Sequence, residues 1–202
     1  KTSTPGVTEG EMGAHFRAGW LDRSWRIYAE HTDLENDFNP EVGFVPRTGI
    51  RRSKLHLEYN PRPDFLGIRM MMPMWNIEYY ADQSGRLVSR QLHHMVGVRM
   101  DDGGFFNVMY NANFERLDND FAIQPDVVIP AGDYSFGDLT LSYSSNPSAR
   151  FYWNVAYAPQ TFFNGDRTDI RGGVGFRLTD QVAFEGDYSR NDVDLAAGDF
   201  VV

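Results

Sequence analysis

Two adjacent histidines, His93 and His94, are the pair of side chains most suited to chemistry. Imidazole is a common metal ligand and general base, so the pair invites a metal site. Adjacent residues of a β-strand, however, point to opposite faces of the sheet. We predict that His93 shares a face with Gln91 and Arg99, and that His94 faces outward near a rim unless the strand is bulged there. The two rings are therefore not expected to hold one metal ion.

Two carboxylate pairs, Glu58 with Glu78 and Glu185 with Asp187, have the residue types of a glycosidase acid–base couple. Nothing in the sequence places either pair at a working separation, and like charges two residues apart are common on a wetted strand face. The sequence also lacks a phosphate-binding loop, a dinucleotide fingerprint, a zinc-protease motif and a nucleophile elbow. We predict no catalytic residue, no cofactor-binding residue and no metal ligand.

Acidic loops are the remaining chemical candidates, because loops rich in carboxylate oxygen can bind Ca²⁺. One loop carries Asp33, Glu35, Asp37 and Glu41, and the other carries Asp118, Asp120, Asp126 and Asp133. Neither has the ordered spacing of an EF-hand loop. A solvated acidic loop is the simpler interpretation of both.

The elements that position these residues are strands, because apolar and polar residues alternate with a period of two along most of the chain. The stretch "FFNVMYNANFE", for example, sets Phe106, Val108 and Tyr110 against Asn107 and Asn111. We predict an all-β fold, an antiparallel up-and-down meander of about ten long strands. They are expected at 12–21, 24–32, 51–59, 65–81, 87–100, 105–116, 134–144, 150–159, 170–178 and 181–190.

Composition narrows the class of protein further. The 202 residues include no cysteine, which excludes disulfides, thiolate metal sites and a cysteine nucleophile. The formal net charge of -9 argues against nucleic acid as a partner. No apolar run reaches the length of about 20 residues that a membrane helix needs, and the first residues lack the apolar core of a signal peptide.

The connections between the predicted strands alternate between short and long. The short ones, such as "NPRPD" and "DDGG", consist of turn residues, and the longer ones are expected at 33–50, 82–86, 117–133, 160–169 and 191–199. Long strands, a polar second face and aromatic residues beside the turns are typical of outer-membrane barrels. We therefore predict part of a transmembrane β-barrel. A soluble ligand-binding barrel or sandwich and a surface glycan-processing enzyme remain alternatives.

In such a barrel the polar face of each strand would line the lumen. Cross-strand pairing of opposite charges is the plain interpretation of these side chains, and a pore or a surface for a sugar-like solute is the functional one. The candidate lumen-facing residues are Arg17, Arg26, Lys54, His56, Glu58, Arg69, Glu78, His93, Arg99, Glu115, Arg171, Arg177, Glu185 and Asp187.

Five sequence stretches also resemble a bacterial protein family, in order and spacing: "NDFNPEVGFVPRTGIRR", "GRLVSRQL", "VIPAGDYSF", "FFNGDR" and "YSRNDVDLAAGDF". That family carries a family-nine-type carbohydrate-binding module followed by an uncharacterised region thought to form an outer-membrane β-barrel, and the resemblance begins near Met12. It implies an outer-membrane location, with the lipid bilayer and its lipopolysaccharide as partners. It also implies a surface protein that anchors or passes polysaccharide, without a reaction to assign.

Relative to that family, residues 1–202 are expected to form one β-barrel region, a fragment without the sugar-binding module and without the last strands.

The loop at 33–50 is unusual because it combines Pro40, Pro46, Gly43 and Gly49 with apolar side chains. Such a loop is expected either to tuck into a lumen as a plug or to fold over the rim.

Overall fold

The computed structural model describes residues 6, 9–40, 45 and 47–201, and these form one long antiparallel sheet with a small hairpin beside it. Eleven strands follow one another in the order β1-β2-β3-β4-β5-β6-β9-β10-β11-β12-β13, and β7 pairs only with β8. The strands are β1 (Gly13–Leu21), β2 (Trp25–Leu34), β3 (Ile50–Tyr59), β4 (Ile68–Asp82), β5 (Leu87–Met100), β6 (Phe105–Leu117), β7 (Phe121–Gln124), β8 (Val127–Ile129), β9 (Gly132–Ser144), β10 (Phe151–Phe162), β11 (Gly165–Arg177), β12 (Ala183–Leu195) and β13 (Gly198–Val201).

The prediction of an all-β antiparallel meander is confirmed, and each of the ten expected strands occurs. Closure into a barrel is not detected, because β1 and β13 are the outer strands of the sheet and do not pair with each other. The described residues contain no helix long and apolar enough to cross a membrane.

The predicted long loops at 160–169 and 191–199 are wrong. The strands continue through most of these two stretches, so the connections left are 163–164 and 196–197. The connection predicted at 82–86 is confirmed to within one residue, at 83–86. Asp, Arg and Asn residues give the two wrong stretches a loop-like composition, but most of these polar residues have a cross-strand partner; Arg167, for example, pairs with Gln160. Ladder hydrogen bonds and the neighbouring strand thus override a loop-like composition.

Residue pairing gives the sheet two faces of opposite character. Directly paired residues share a face, so the register Trp20↔Ile27↔Leu57↔Trp75 defines one face from β1 to β4. We call it the apolar face. The other, called the polar face, contains Arg17↔Glu30↔Lys54↔Glu78.

Large apolar side chains on the apolar face are exposed along the whole sheet. Phe16 is 66% exposed in β1, and Tyr188 is 60% exposed in β12. Between them the same face carries Leu55, Trp75, Ile77, Val96, Phe106, Tyr110, Leu141, Trp153, Val155, Tyr157, Ile170 and Val174, each at least 38% exposed. No second layer of described residues covers this face.

Aromatic side chains lie together at one end of the apolar face, near the β1–β2, β3–β4 and β9–β10 turns. Trp25 stacks on Tyr59 with ring centroids 4.4 Å apart, and Tyr143 lies 4.9 Å from Trp153. Trp20 Nε1 donates a hydrogen bond of 2.8 Å to Asp22 in the β1–β2 turn. That bond and two backbone N–H groups lower the pKa of Asp22. The tryptophan therefore has an apolar ring on the sheet and a polar tip in the turn.

The compact hydrophobic cluster of the structure lies on the polar-face side, at the end away from those turns. The β7–β8 hairpin folds back over the sheet, where Ile129 is fully buried with Val127, Val193 and Leu195. The partly buried side chains around them are Leu117, Ile123, Tyr134, Phe162, Phe163 and Phe200. The inward-folded segment is thus the connection 118–131. The sequence predicts a plug, or a fold over the rim, for the loop at 33–50 instead. Residues 41–44 and 46 of that loop lie outside the described residues.

We predict that Ile129→Ala loosens the β7–β8 hairpin. Deleting a buried isoleucine side chain costs about 2–5 kcal/mol, through lost burial and the cavity it leaves. Limited proteolysis of folded protein should then cut the connection 118–131 faster. Val128→Ala is the matched control, since Val128 is 39% exposed on the same strand. Equal cleavage of the two variants would show that the hairpin is not held by this cluster.

Candidate functional site

The strand register places thirteen of the fourteen candidate lumen-facing residues on the polar face. These are Arg17, Arg26, Lys54, His56, Glu58, Glu78, His93, Arg99, Glu115, Arg171, Arg177, Glu185 and Asp187. Arg69 is different: it falls at an irregularity between Ile68 and Met70 and has no paired residue in the register. That this face lines a lumen stays a prediction.

A continuous row of polar and aromatic side chains crosses the middle of the polar face. Each member is directly paired with the next on the neighbouring strand, from β2 to β11. The row, called the polar row, consists of Tyr28, His56, Asn76, His93, Asn111, Asp138, Gln160 and Arg167.

Hydrogen bonds connect the central members of the polar row. His93 Nδ1 donates to Asn111 Oδ1 at 2.6 Å, and Asn111 Nδ2 donates to Asp138 Oδ1 at 2.7 Å. Asp138 also accepts from Asn113 at 3.2 Å, and Asn113 accepts from Gln91 at 3.1 Å. Asn111 is only 8% exposed. The two amides thereby fix both the imidazole of His93 and the carboxylate of Asp138.

His56 occupies the matching place in β3 and is 5% exposed. Its Nδ1 lies 2.5 Å from Asn76 Oδ1, and its ring stacks on Tyr28 with centroids 4.6 Å apart. Its Nε2 lies 3.3 Å from Glu58 Oε2 but makes no hydrogen bond of acceptable geometry. The imidazole of His56 and the carboxylate of Glu58 are thus close together without a hydrogen bond between them. The guanidinium group of Arg17 also lies over the Tyr28 ring, 4.5 Å from its centroid.

Ion pairs flank the polar row on the first four strands. Arg17 contacts Glu30 at 3.3 Å and Arg26 contacts Glu58 at 3.2 Å. Arg52 contacts Glu78. Each pair joins adjacent strands, which is the cross-strand charge pairing expected of a polar sheet face.

Three of the four carboxylates in the two candidate acid–base pairs have polar partners. Glu78 pairs in the register with Lys54, four residues from Glu58, and each of the two glutamates contacts an arginine. Glu185 accepts a hydrogen bond from Tyr152 Oη. Ion pairs and a tyrosine hydrogen bond are therefore the interactions that these three carboxylates make.

Glycine residues let side chains lie flat on the polar face near Glu185. A Cβ at Gly175 would overlap the Tyr152 ring, and a Cβ at Gly173 would come 2.6 Å from Asp187 Oδ1 and 2.7 Å from Asn154 Nδ2. The ring of Tyr152 therefore takes the space that a side chain at Gly175 would fill. Its other neighbour is Arg177, 5.1 Å from the ring centroid.

His93 and His94 point to opposite faces, as the adjacent positions indicate. His93 pairs with Asn76 and Asn111 on the polar face, whereas His94 pairs with Trp75 and Tyr110 on the apolar face. The register is regular at this point, so no bulge is present. The expectation that His94 lies near a rim is wrong, because its place is in the middle of β5.

The acidic loops are tied by arginine side chains. Arg86 bridges Asp82 at 3.0 Å and Asp118 at 3.3 Å, and Arg116 forms a bidentate pair with Asp133 at 2.6 Å. Among the described residues, no group of three or more histidine, aspartate or glutamate side chains is placed to hold a metal ion.

Sequence reasoning missed the amide and carboxylate members of the polar row, namely Asn76, Asn111, Asp138 and Gln160. Alternation did place Asn111 on the polar side of its strand, but it gives no weight to a neutral amide. The missing signal was the register, which pairs residues of eight separate strands into one row.

No protein-family model, no curated protein and no solved structure that was compared with the chain matches it. The resemblance drawn from the five sequence stretches therefore stays a prediction.

We predict that Asn111→Ala destabilises the fold by about 1–3 kcal/mol, because the partly buried side chains of His93 and Asp138 lose the buried amide that joins them. The free energy of unfolding from urea titration in detergent micelles measures this. Asn107→Ala is the matched control, since Asn107 lies on the same face of β6 and its Oδ1 accepts no hydrogen bond. Similar losses in both variants would mean that the polar row adds nothing to stability.

Proposed function

We propose that this sheet is part of the wall of a β-barrel in a bacterial outer membrane, with the apolar face against lipid and the polar face lining the lumen. One observation supports it above others: apart from Leu21 at the end of β1, the exposed large apolar side chains of the long strands lie on a single face. A barrel wall needs that distribution, because lipid-facing and lumen-facing residues alternate along each strand.

A soluble sandwich would bury its apolar face under a second layer. Among the described residues only eight hydrophobic side chains are buried, and four of them belong to the β7–β8 cluster. Soluble monomers rarely expose apolar patches beyond a few hundred Å². A face apolar from β1 to β12 therefore favours lipid as its surroundings.

The dimensions of the apolar face also suit a bilayer. On β6 its apolar residues run from Phe106 to Phe114, nine residues, and the next position on that face is Arg116. A tilted spanning strand needs about 9–11 residues. Charged residues end the apolar stretch on two other strands too, with Asp133 on β9 and Arg190 on β12.

The polar face supports a lumen for a hydroxylated solute. It offers amides, imidazoles and paired charges, and both signs of charge are present next to one another. Hydroxyl groups of a sugar both donate and accept hydrogen bonds, so an amide-rich surface can recognise them without a net charge. In line with the resemblance, we propose that the barrel anchors or passes polysaccharide at the cell surface.

A barrel requires that the outer strands be paired, since an unsatisfied backbone group in hydrocarbon costs several kcal/mol. β1 has one unpaired edge, and β13 pairs only with residues 192–195 of β12. A barrel wall of the kind that we propose needs further pairing partners between β13 and β1.

Brominated acyl chains should quench the tryptophan fluorescence of the reconstituted protein. Trp20, Trp25, Trp75 and Trp153 are its tryptophans, and the register puts all four on the apolar face. A variant that keeps only Trp75 should be quenched strongly by lipid brominated in mid-chain, because Trp75 lies within the apolar stretch of β4.

The control moves the probe by one residue. With the four native tryptophans changed to phenylalanine, Met74→Trp places an indole on the polar face at nearly the same depth. We expect that indole to respond several-fold less to brominated lipid and more to aqueous acrylamide. Equal quenching of both probes, or none from lipid, would contradict the barrel wall.

A further inference from the structure

A groove in the apolar face lies across β10, β11 and β12. It is open and shallow, with a volume of about 660 Å³. The groove, called the glycine groove, is lined on the apolar face by Phe151, Trp153, Gly172, Val174, Gly186 and Tyr188; the polar-face residues Asn154, Gly173 and Asp187 complete its lining.

The glycine groove exists because two residues of its floor are glycines, which have no side chain. Gly186 is paired with Val174, and Gly172 is paired with Val155 and Tyr188. These two glycines are diagonal neighbours on adjacent strands. A Cβ at Gly186 would meet no atom within 4 Å, and one at Gly172 would meet only the Asn154 carbonyl oxygen at 3.7 Å.

The glycines of the opposite face behave differently. Gly173 and Gly175 face side chains that occupy the space above them, as Tyr152 does at Gly175. Close packing within the chain therefore explains the polar-face glycines. It does not explain Gly172 and Gly186, whose space stays empty of protein atoms.

The walls of the groove are apolar and its floor is backbone. The backbone groups at Gly172 and Gly186 lie in regular antiparallel ladders with β10 and β12, so they offer no free donor or acceptor to a polar ligand. Phe151 is 57% exposed and Val174 is 55% exposed along the rim. An elongated apolar occupant fits these surroundings.

A cation lies at the turn end of the groove. Arg150 precedes β10, and its guanidinium is 5.4 Å from the ring centroid of Phe176, the cross-strand partner of Phe151. Its Nε donates to the Arg177 carbonyl oxygen at 3.3 Å. Within the described residues it contacts no carboxylate, so its charge is available to an anion.

We propose that the glycine groove seats an acyl chain of an anionic phospholipid whose phosphate binds Arg150. The inference rests on the proposed barrel wall, because it needs the apolar face to lie in lipid. Charge complementarity selects the anionic headgroup, since a basic side chain at the membrane surface attracts anionic lipid. The two glycines leave room for the acyl chain at a defined place on the apolar face.

Photoactivatable lipid tests this site in vesicles that contain the folded protein. The probes are phosphatidylglycerol and phosphatidylcholine, each with a diazirine in one acyl chain. Peptide mapping should show labelling concentrated on β10–β12 rather than on the β5–β6 part of the apolar face. We expect the phosphatidylglycerol probe to label the groove about fivefold more than the phosphatidylcholine probe, the effect of roughly one basic residue.

Two variants, each with a control, test the contact with the acyl chain and the contact with the headgroup separately. Gly186→Leu fills the groove and should reduce its labelling several-fold, whereas Val96→Leu on the same face of β5 should leave it unchanged. Arg150→Gln should remove the preference for phosphatidylglycerol but keep labelling of the groove. Arg177→Gln, on the polar face, should keep the preference.

Flotation of the vesicles distinguishes the two proposals. Protein that floats but is labelled evenly along the apolar face would overturn the lipid site and leave the barrel wall standing. Protein that does not float would overturn both. Loss of a cross-linked dimer in Gly186→Leu, with lipid labelling unchanged, would assign the groove to a second copy of the chain and overturn the lipid site.

Discussion

Regular strand pairing over most of the sheet is the constraint on which the rest of this structure depends. A residue's face is fixed by parity along its strand, and a slip of one residue would exchange the two faces. The register from β2 to β3 is regular over ten residue pairs, and from β11 to β12 over twelve. That regularity keeps apolar side chains on one side through β12 and brings amides and charges of separate strands to one level.

The two faces stabilise the sheet by different means. On the polar face, hydrogen bonds such as His93–Asn111–Asp138 and ion pairs such as Arg17–Glu30 act between neighbouring strands. On the apolar face there is no packed layer among the described residues, so its free energy depends on the surrounding medium. The same side chains would favour aggregation in water and insertion in lipid.

The sequence was sufficient for the strands and their faces, because a period of two is local and each strand repeats it several times. It failed at residues 160–169 and 191–199, where Asp, Asn and Arg predominate and only the partner strand shows that the ladder continues. It also failed at the polar row, since pairing of Asn76 with His93 depends on register between strands. The β7–β8 hairpin escaped for a third reason: its fold depends on Val193 and Leu195, more than sixty residues away in sequence.

That distant contact has a mechanical consequence for the sheet. β8 touches β12, although β9, β10 and β11 form the sheet between β6, from which the hairpin departs, and β12. Adjacent strands are about 4.8 Å apart, so the four steps from β6 to β12 amount to about 19 Å across a flat sheet. A hairpin that leaves β6 and packs against β12 favours bending of the sheet toward the side on which the hairpin lies, which is the polar face. The same contacts would favour this direction of bending whatever medium surrounds the apolar face.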